Sequence, residues 1–225
     1  MKILVVDVGG THVKILATGQ REHRQADSGL TMTARRMVSV VKRLSAGWSY
    51  DHVAIGFPGP VVHGHPVAEP RNLGGGWVGF DFRRAFGRPV KVINDAAMQA
   101  LGSYRGGRML FLGLGTGLGS ALIIDGALEP MELAHLPYKH GRTFEEYVGI
   151  RGFKRLGKAR WRKCVLDVVE RLRAALNAED VVVGGGNARK LRTPPPGSRL
   201  GDNDNAFLGG FRLWNGVPTR RARRR

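Results

Sequence analysis

The feature that most constrains the fold is a pattern that occurs twice. Leu4-Val5-Val6-Asp7-Val8-Gly9-Gly10-Thr11 and Leu110-Phe111-Leu112-Gly113-Leu114-Gly115-Thr116-Gly117 each join an apolar run to a Gly/Thr turn. A second apolar run follows each, Val13 to Ala17 and Ser120 to Ile124. Short apolar runs bounded by glycine read as buried strands, and such a turn between two of them reads as a hairpin. Glycine has no Cβ, so backbone N–H groups in the turn can converge on an anion, and the threonine adds a hydroxyl donor. One such loop is common in any α/β protein. Two in one chain imply two related lobes around a cleft that holds a phosphate chain.

The remaining segments fit an α/β order. Val53 to Phe57, Val90 to Ile93 and Val181 to Val183 are apolar runs ended by Pro58-Gly59, Asn94-Asp95 and Gly184-Gly185-Gly186. Helical spacing is expected over Thr33 to Leu44, with Thr31 or Thr33 as cap, and over Ala96 to Tyr104 and Arg160 to Leu176. Thr193 to Gly197, with three prolines, reads as a loop, and Phe207 to Leu213 as a closing helix. We therefore expect a small N-terminal lobe over 1–94, joined by the helix at about 207–213. A large lobe over 95–206 and a basic tail over 214–225 complete the chain.

Charge narrows the partners. The 36 Lys and Arg against 18 Asp and Glu give a formal net charge of +18. Arg220, Arg221, Arg223, Arg224 and Arg225 account for only five of those charges, so the body itself is basic. Such a field attracts nucleic acid, an anionic membrane or a polyphosphate chain; an arginine-biased genome gives the same composition. No apolar run is long enough to cross a bilayer. The start, Met1-Lys2-Ile3-Leu4-Val5-Val6-Asp7, meets an acid and two glycines where a signal peptide would stay apolar, so a cytoplasmic protein is expected. The single Cys164 excludes an internal disulfide and a cysteine-rich zinc site.

These motifs carry a family resemblance. Asp7-Val8-Gly9-Gly10-Thr11-His12-Val13-Lys14 resembles the first phosphate motif of the actin-like sugar kinases. Gly113-Leu114-Gly115-Thr116-Gly117-Leu118-Gly119-Ser120 resembles their second, and Val181 to Asn187 their adenosine motif. Gly56 to Val62, Asn72 with Trp77, Asn94-Asp95-Ala96 and Asp125 to Leu136 follow the order of the repressor, open-reading-frame and kinase (ROK) family. The resemblance runs from about residue 3 to 213. It implies the duplicated actin-like (ribonuclease H-like) α/β fold. It also implies phosphoryl transfer to glucose from inorganic polyphosphate, ATP or both, with Mg²⁺, and a homodimer. Many members carry a cysteine-rich zinc motif after the sugar-binding histidine; its absence here implies no zinc and favours the polyphosphate-using branch. No DNA-binding segment precedes the first motif, so repressor function is not expected. Ala134 stands where members usually have glycine.

The resemblance also assigns roles. A sugar hydroxyl is a poor nucleophile, so a base must take its proton as attack develops, and Asp95 is placed for that work. Read from the residues alone, Asp95 serves equally as a helix N-cap. Asn72, Asn94, Glu132, His135 and Glu145 supply the mixed donors and acceptors that a hexose needs. Glu132 and His135 would hold one side of the sugar and Glu145 the anomeric side, though neighbouring Glu146 competes for that place. Gly9, Gly10, Thr11, Gly115, Thr116 and Gly117, with Gly184, Gly185 and Gly186, would cradle phosphates. Lys14 adds a charge there or is simply an exposed strand lysine. Asp7 would organise a divalent cation through water, or end its strand as a turn former. A polyanion-binding module and a non-catalytic sugar sensor are the competing functions. Against the first, no aromatic residues interleave the arginines for base stacking.

Overall fold

The computed structural model describes residues 1–217. The arginine-rich end anticipated from the sequence lies outside them from residue 218 onward. Trp214 and Asn215, which we had placed in that tail, belong to the last helix.

In chain order, the first half runs β1 (Ile3–Val8), β2 (His12–Ala17), β3 (Arg24–Asp27), α1 (Ala34–Leu44) and β4 (His52–Phe57). A small hairpin, β5 (Val61–Val62) and β6 (His65–Pro66), precedes α2 (Phe82–Phe86), β7 (Val90–Asn94) and α3 (Asp95–Ser103). The second half runs β8 (Arg108–Leu114), β9 (Leu118–Ile124), β10 (Ala127–Met131), α4 (Phe144–Val148) and α5 (Ile150–Ala175). It ends with β11 (Asp180–Gly184), β12 (Ser198–Leu200) and α6 (Asn205–Asn215). The described chain divides into two compact units, Met1–Met98 with Ala206–Gly216, and Gln99–Asn205 with Val217.

Both units are built on the same plan. The first holds a five-stranded sheet of order β3-β2-β1-β4-β7, the second a five-stranded sheet of order β10-β9-β8-β11-β12. In each, three consecutive strands form an antiparallel meander, and two later strands add in parallel beside the first of them. The repeated sequence pattern is thus a repeated topology.

Burial explains why β1 and β8 read so clearly. Alternate residues of a strand point to opposite faces, and a parallel strand covered on both faces is apolar throughout. Leu4, Val6 and Val8 enter one core with Met37, Val41, Ile55, Phe57 and Trp77. Ile3 and Val5 enter another with Ala54, Met98, Ala206 and Phe207. The second face is closed by α6, and closely: a Cβ on Gly210 would run into the Val5 side chain. In the second unit Leu110, Leu112 and Leu114 pack with Trp161, Val165 and Val169 of α5.

Helix ends follow local chemistry. Thr33 caps α1, its Oγ1 accepting from the Arg36 N–H at 3.2 Å. In α5 the backbone breaks at Gly157 (φ 73°, ψ 164°), so the element is two helices end to end. That break explains why the sequence pattern revealed only the part from Arg160 onward.

Candidate functional site

In the first unit the site begins where β1 ends. Asp7 follows Ile3 and Val5 on the same strand face, and pairs in register with Lys14 across the hairpin. Burial pushes its carboxyl up to about 6, and the Lys14 ammonium pulls the other way. Gly9 closes the turn, its N–H donating to the His12 carbonyl at 2.9 Å, and Gly10 and Thr11 lie exposed beyond it. Ser28 steadies the turn from β3's end: its Oγ donates to Gly9 O at 2.6 Å, and its N–H to Thr11 O at 2.8 Å. Nothing in the sequence marked Ser28, because the contact depends on β3, an exposed edge strand without alternation.

Asp95 opens α3 beside β1's end. The cap is shared with its neighbour Asn94, whose Oδ1 accepts from Ala96 N–H at 2.9 Å and Ala97 N–H at 3.2 Å. Its Nδ2 donates to Gly59 O at 2.9 Å, so both ends of the Asn94 carboxamide are engaged within the protein. Asp95 is the first helical residue, and its Oδ1 accepts from Ala96 N–H at 2.8 Å. Burial pushes the Asp95 carboxyl up to about 7, and the nearby Asp7 charge adds to the rise. Helix α3 reaches this close to β4 because residue 56 is glycine: a Cβ there would collide with Met98 Cε and stand 3.6 Å from Asp95 Cα.

Asn72 also comes to this region, its Cβ 3.3 Å from where a Gly10 Cβ would be. The loop that carries it is held by a carboxylate that sequence reasoning missed. Glu69 accepts from Trp77 N–H at 3.1 Å and Val78 N–H at 3.2 Å. The Trp77 indole, fully buried, donates to Gly74 O at 2.6 Å. A Glu eight residues before a buried Trp is the only sequence trace of this clamp.

The second unit assembles the other residues. In the β8–β9 turn, Gly115 N–H donates to Gly117 O at 3.1 Å, and Asn187 Nδ2 donates to Gly115 O at 2.7 Å. Glu145 and Glu146 are cleanly distinguished. Glu146 accepts from the Thr143 N–H at 2.9 Å, the reach-back bond of a capping box. Glu145 instead turns toward the β8–β9 turn, where its Oε2 occupies the space a Gly117 Cβ would need. Its carboxylate is 4.0 Å from Arg151 Nη2. Glu132 and His135 lie on the turn after β10, Oε1 and Nε2 3.7 Å apart, both largely exposed. Buried Ser120 fixes that turn, its Oγ donating to Met131 O at 2.8 Å and accepting from Leu133 N–H at 3.2 Å. Ala134 is buried with an ordinary negative φ, so its methyl group needs no backbone change.

The three glycines after β11 are not equivalent. A Cβ on Gly184 would meet the Phe111 ring at 2.7 Å, and one on Gly185, at φ +80°, would stand 2.6 Å from Leu114 O. Gly186 faces open space. Two of the three are therefore required by packing, and only one is free to admit a ligand. Among the described residues no group of three His, Cys, Asp or Glu side chains could hold a metal ion.

The paired five-stranded sheets, each led by a hairpin with a Gly/Thr turn, define the actin-like ATPase fold. The chain belongs to the ROK family, whose model matches residues 3–130. It is similar to the polyphosphate glucokinase of Mycobacterium tuberculosis, at 29% identity over 82% of this chain and 77% of that protein. The inorganic polyphosphate/ATP-glucomannokinase of Arthrobacter sp. strain KM superposes with a TM-score of 0.78 at 25% identity, covering 93% of this chain and 96% of that one. A ROK family glucokinase from Streptomyces griseus, solved with glucose and AMPPNP, shares the fold with a TM-score of 0.73 at 17% identity, covering 95% and 99%. No helix among the described residues is long and apolar enough to cross a membrane.

Proposed function

We propose that the protein is a glucokinase that transfers a phosphoryl group to the 6-hydroxyl of glucose, from inorganic polyphosphate, ATP or both. The observation that carries this reading is the Asp95 carboxyl, set beside Asp7 at the start of α3 and raised to about 7 by burial and by the Asp7 charge, although its Oδ1 shares the Ala96 N–H with Asn94. A general base works best when its pKa lies near the working pH, and an ordinary surface aspartate is far too weak a base for a hydroxyl. Asp95 takes the 6-hydroxyl proton onto its carboxylate as the oxygen attacks the terminal phosphorus, and the remaining phosphate chain leaves with the bridging oxygen.

The other residues align and neutralise. Glu132, His135 and Glu145 accept and donate to sugar hydroxyls, and Asn72 is a further sugar contact. Asn94 positions Asp95 by fixing the first turn of α3. Phosphoryl transfer runs through a loose transition state, so charge on the non-bridging oxygens is what the protein must stabilise. The N–H groups of Gly10, Thr11, Thr116 and Gly117 serve that purpose, while Gly9 and Gly115 shape the two turns through their own backbone hydrogen bonds; Gly186 is the open position of the third motif and Lys14 a point charge. Mg²⁺ suits one carboxylate plus phosphate oxygens and water, which is what Asp7 offers; when bound, it neutralises charge on the phosphate chain. A dimer and a cytoplasmic location accompany this reading.

The test is glucose 6-phosphate formation by the purified protein with Mg²⁺, supplied with polyphosphate or ATP at two salt concentrations. Turnover with both donors, or with polyphosphate alone, is the expected result. Turnover with ATP alone selects a strictly ATP-dependent hexokinase of glucose and mannose. No turnover while glucose still binds selects a sugar sensor and refutes the kinase.

A further inference from the structure

We propose that the groove between α1 and α2 binds the part of a long polyphosphate chain that lies beyond the reacting end. This rests on the donor reading above and assigns it a path. The groove has a volume of about 660 Å³ and is lined by Arg35, Ser39 and Lys42 of α1 and by Arg84 and Ala85 of α2, with Phe80 beneath. Arg35, Ser39 and Lys42 follow one another at intervals of four and three, which places them on one face of α1. Seven residues of helix span roughly 10 Å, too far for one phosphate and suitable for several in a row. A second hollow of about 510 Å³ continues past Arg84 to Arg83 and Arg88.

The groove is net positive, with three cations against one carboxylate. Arg35, Lys42 and Arg84 are exposed, and none has a carboxylate ion-pair partner among the described residues. Its one acid, Asp81, is occupied in capping α2, accepting from the Arg84 N–H at 2.8 Å.

The groove also starts at the right place. Helix α1 is capped by Thr33, whose Cγ2 lies 3.1 Å from where a Gly74 Cβ would be, and Gly74 N–H donates to Met32 O at 3.1 Å. Gly74 belongs to the loop that lays Asn72 against Gly10. A chain leaving the Gly9–Thr11 turn along that loop therefore meets Arg35 first and Lys42 last. Nucleic acid is the less suitable occupant. Base stacking needs exposed rings, whereas Phe80 is half-buried and packs edge-on against Phe82 at 4.9 Å between ring centres.

The experiment is direct binding, without glucose, of long-chain polyphosphate, tripolyphosphate, ATP and a single-stranded oligonucleotide of matched charge. The parent and Arg35→Gln/Lys42→Gln/Arg84→Gln are compared at several salt concentrations. The triple variant is expected to bind long-chain polyphosphate about tenfold more weakly. Its slope of log affinity against log salt should be shallower by about 2, at ~0.7 per lost contact on a flexible polyanion. ATP and tripolyphosphate should bind within twofold of the parent, and Arg35→Lys/Arg84→Lys should bind the long chain normally. An equal loss for tripolyphosphate, or no loss for the long chain, overturns the proposal. So does an oligonucleotide that binds the parent as tightly and is lost on the same substitutions. Long-chain binding through the groove without polyphosphate-driven turnover upholds the groove and refutes the donor reading. Turnover with ATP in a parent that binds no polyphosphate refutes the groove and keeps the kinase.

Discussion

Asp95→Asn should make the protein more stable at alkaline pH and nearly inactive, a combination that a merely structural aspartate cannot give. The Asp95 carboxyl is raised from 3.8 to about 7, chiefly by burial and then by the Asp7 charge. The folded state therefore holds the proton more tightly than the unfolded chain does. Stability contributed by this group is greatest at low pH, falls as pH rises from about 4 to 7, and stays low above 7. The full difference corresponds to about 4 kcal/mol, at 1.36 kcal/mol per tenfold change. Partial exposure and water reduce what a measurement would see to about 1–2 kcal/mol. Asparagine keeps the shape, carries no charge, and gives up part of the favourable interaction of an acid with a helix N-terminus, a few tenths of a kcal/mol. Thermal melting at pH 8 should show the variant higher by about 2–6 °C, with the gain shrinking toward zero near pH 4. The same preparation should lose roughly 10²–10⁴ in kcat while still binding glucose. Parent kcat/KM should fall as pH drops below about 7, where Asp95 takes up its proton. A variant that melts lower at pH 8, or that keeps near-parent kcat, refutes the argument.

Other substitutions test separate parts. Glu145→Gln should raise KM for glucose at least tenfold with donor KM unchanged, whereas Glu146→Gln should lower the melting temperature slightly and leave KM alone. Glu132→Gln should weaken sugar more than donor; equal losses in steady-state kinetics would remove Glu132 from the sugar pocket. Gly185→Ala should cost about 1–3 kcal/mol in denaturant unfolding because of its positive φ and the Leu114 carbonyl, while Gly186→Ala should be neutral. Gly210→Ala should cost a similar amount by forcing a methyl group against Val5.

The sequence was most informative where strands are buried on both faces. β1, β8 and β11 are continuous apolar runs, and the glycines that end them are visible as such. Two edge strands were not legible: β3 is Arg-Gln-Ala-Asp, and β10 includes Pro130, tolerated because an edge position need not donate on both sides. Helix α2 has only five residues, too few for periodicity to register. In the candidate site, motif position pointed to Asp95 and Glu145, but not to how their neighbours divide the capping. Glu146 takes the capping-box bond, and Asn94 shares the α3 cap with Asp95, a choice made by side-chain direction between adjacent polar residues. Ser28, Glu69 and Ser120 act through backbone groups of segments far from them in sequence, and no local pattern records such bonds.

The return of α6 to the first unit has a consequence for synthesis. Residues are made from the N-terminus, so β1, β4 and α1 emerge from the ribosome well before Ala206–Gly216. Until those last residues appear, Ile3, Val5 and Ala54 lack the Ala206 and Phe207 that cover them in the finished protein. The second unit has all its strands and helices in the contiguous stretch Gln99–Asn205, which can close as soon as it is made. The first-made half is therefore the last to be completed, and for that interval a nascent chain displays a sticky strip on its central strands. A chain stalled or clipped before residue 206 keeps that strip open and becomes a client for holdase chaperones, while its second half folds on schedule.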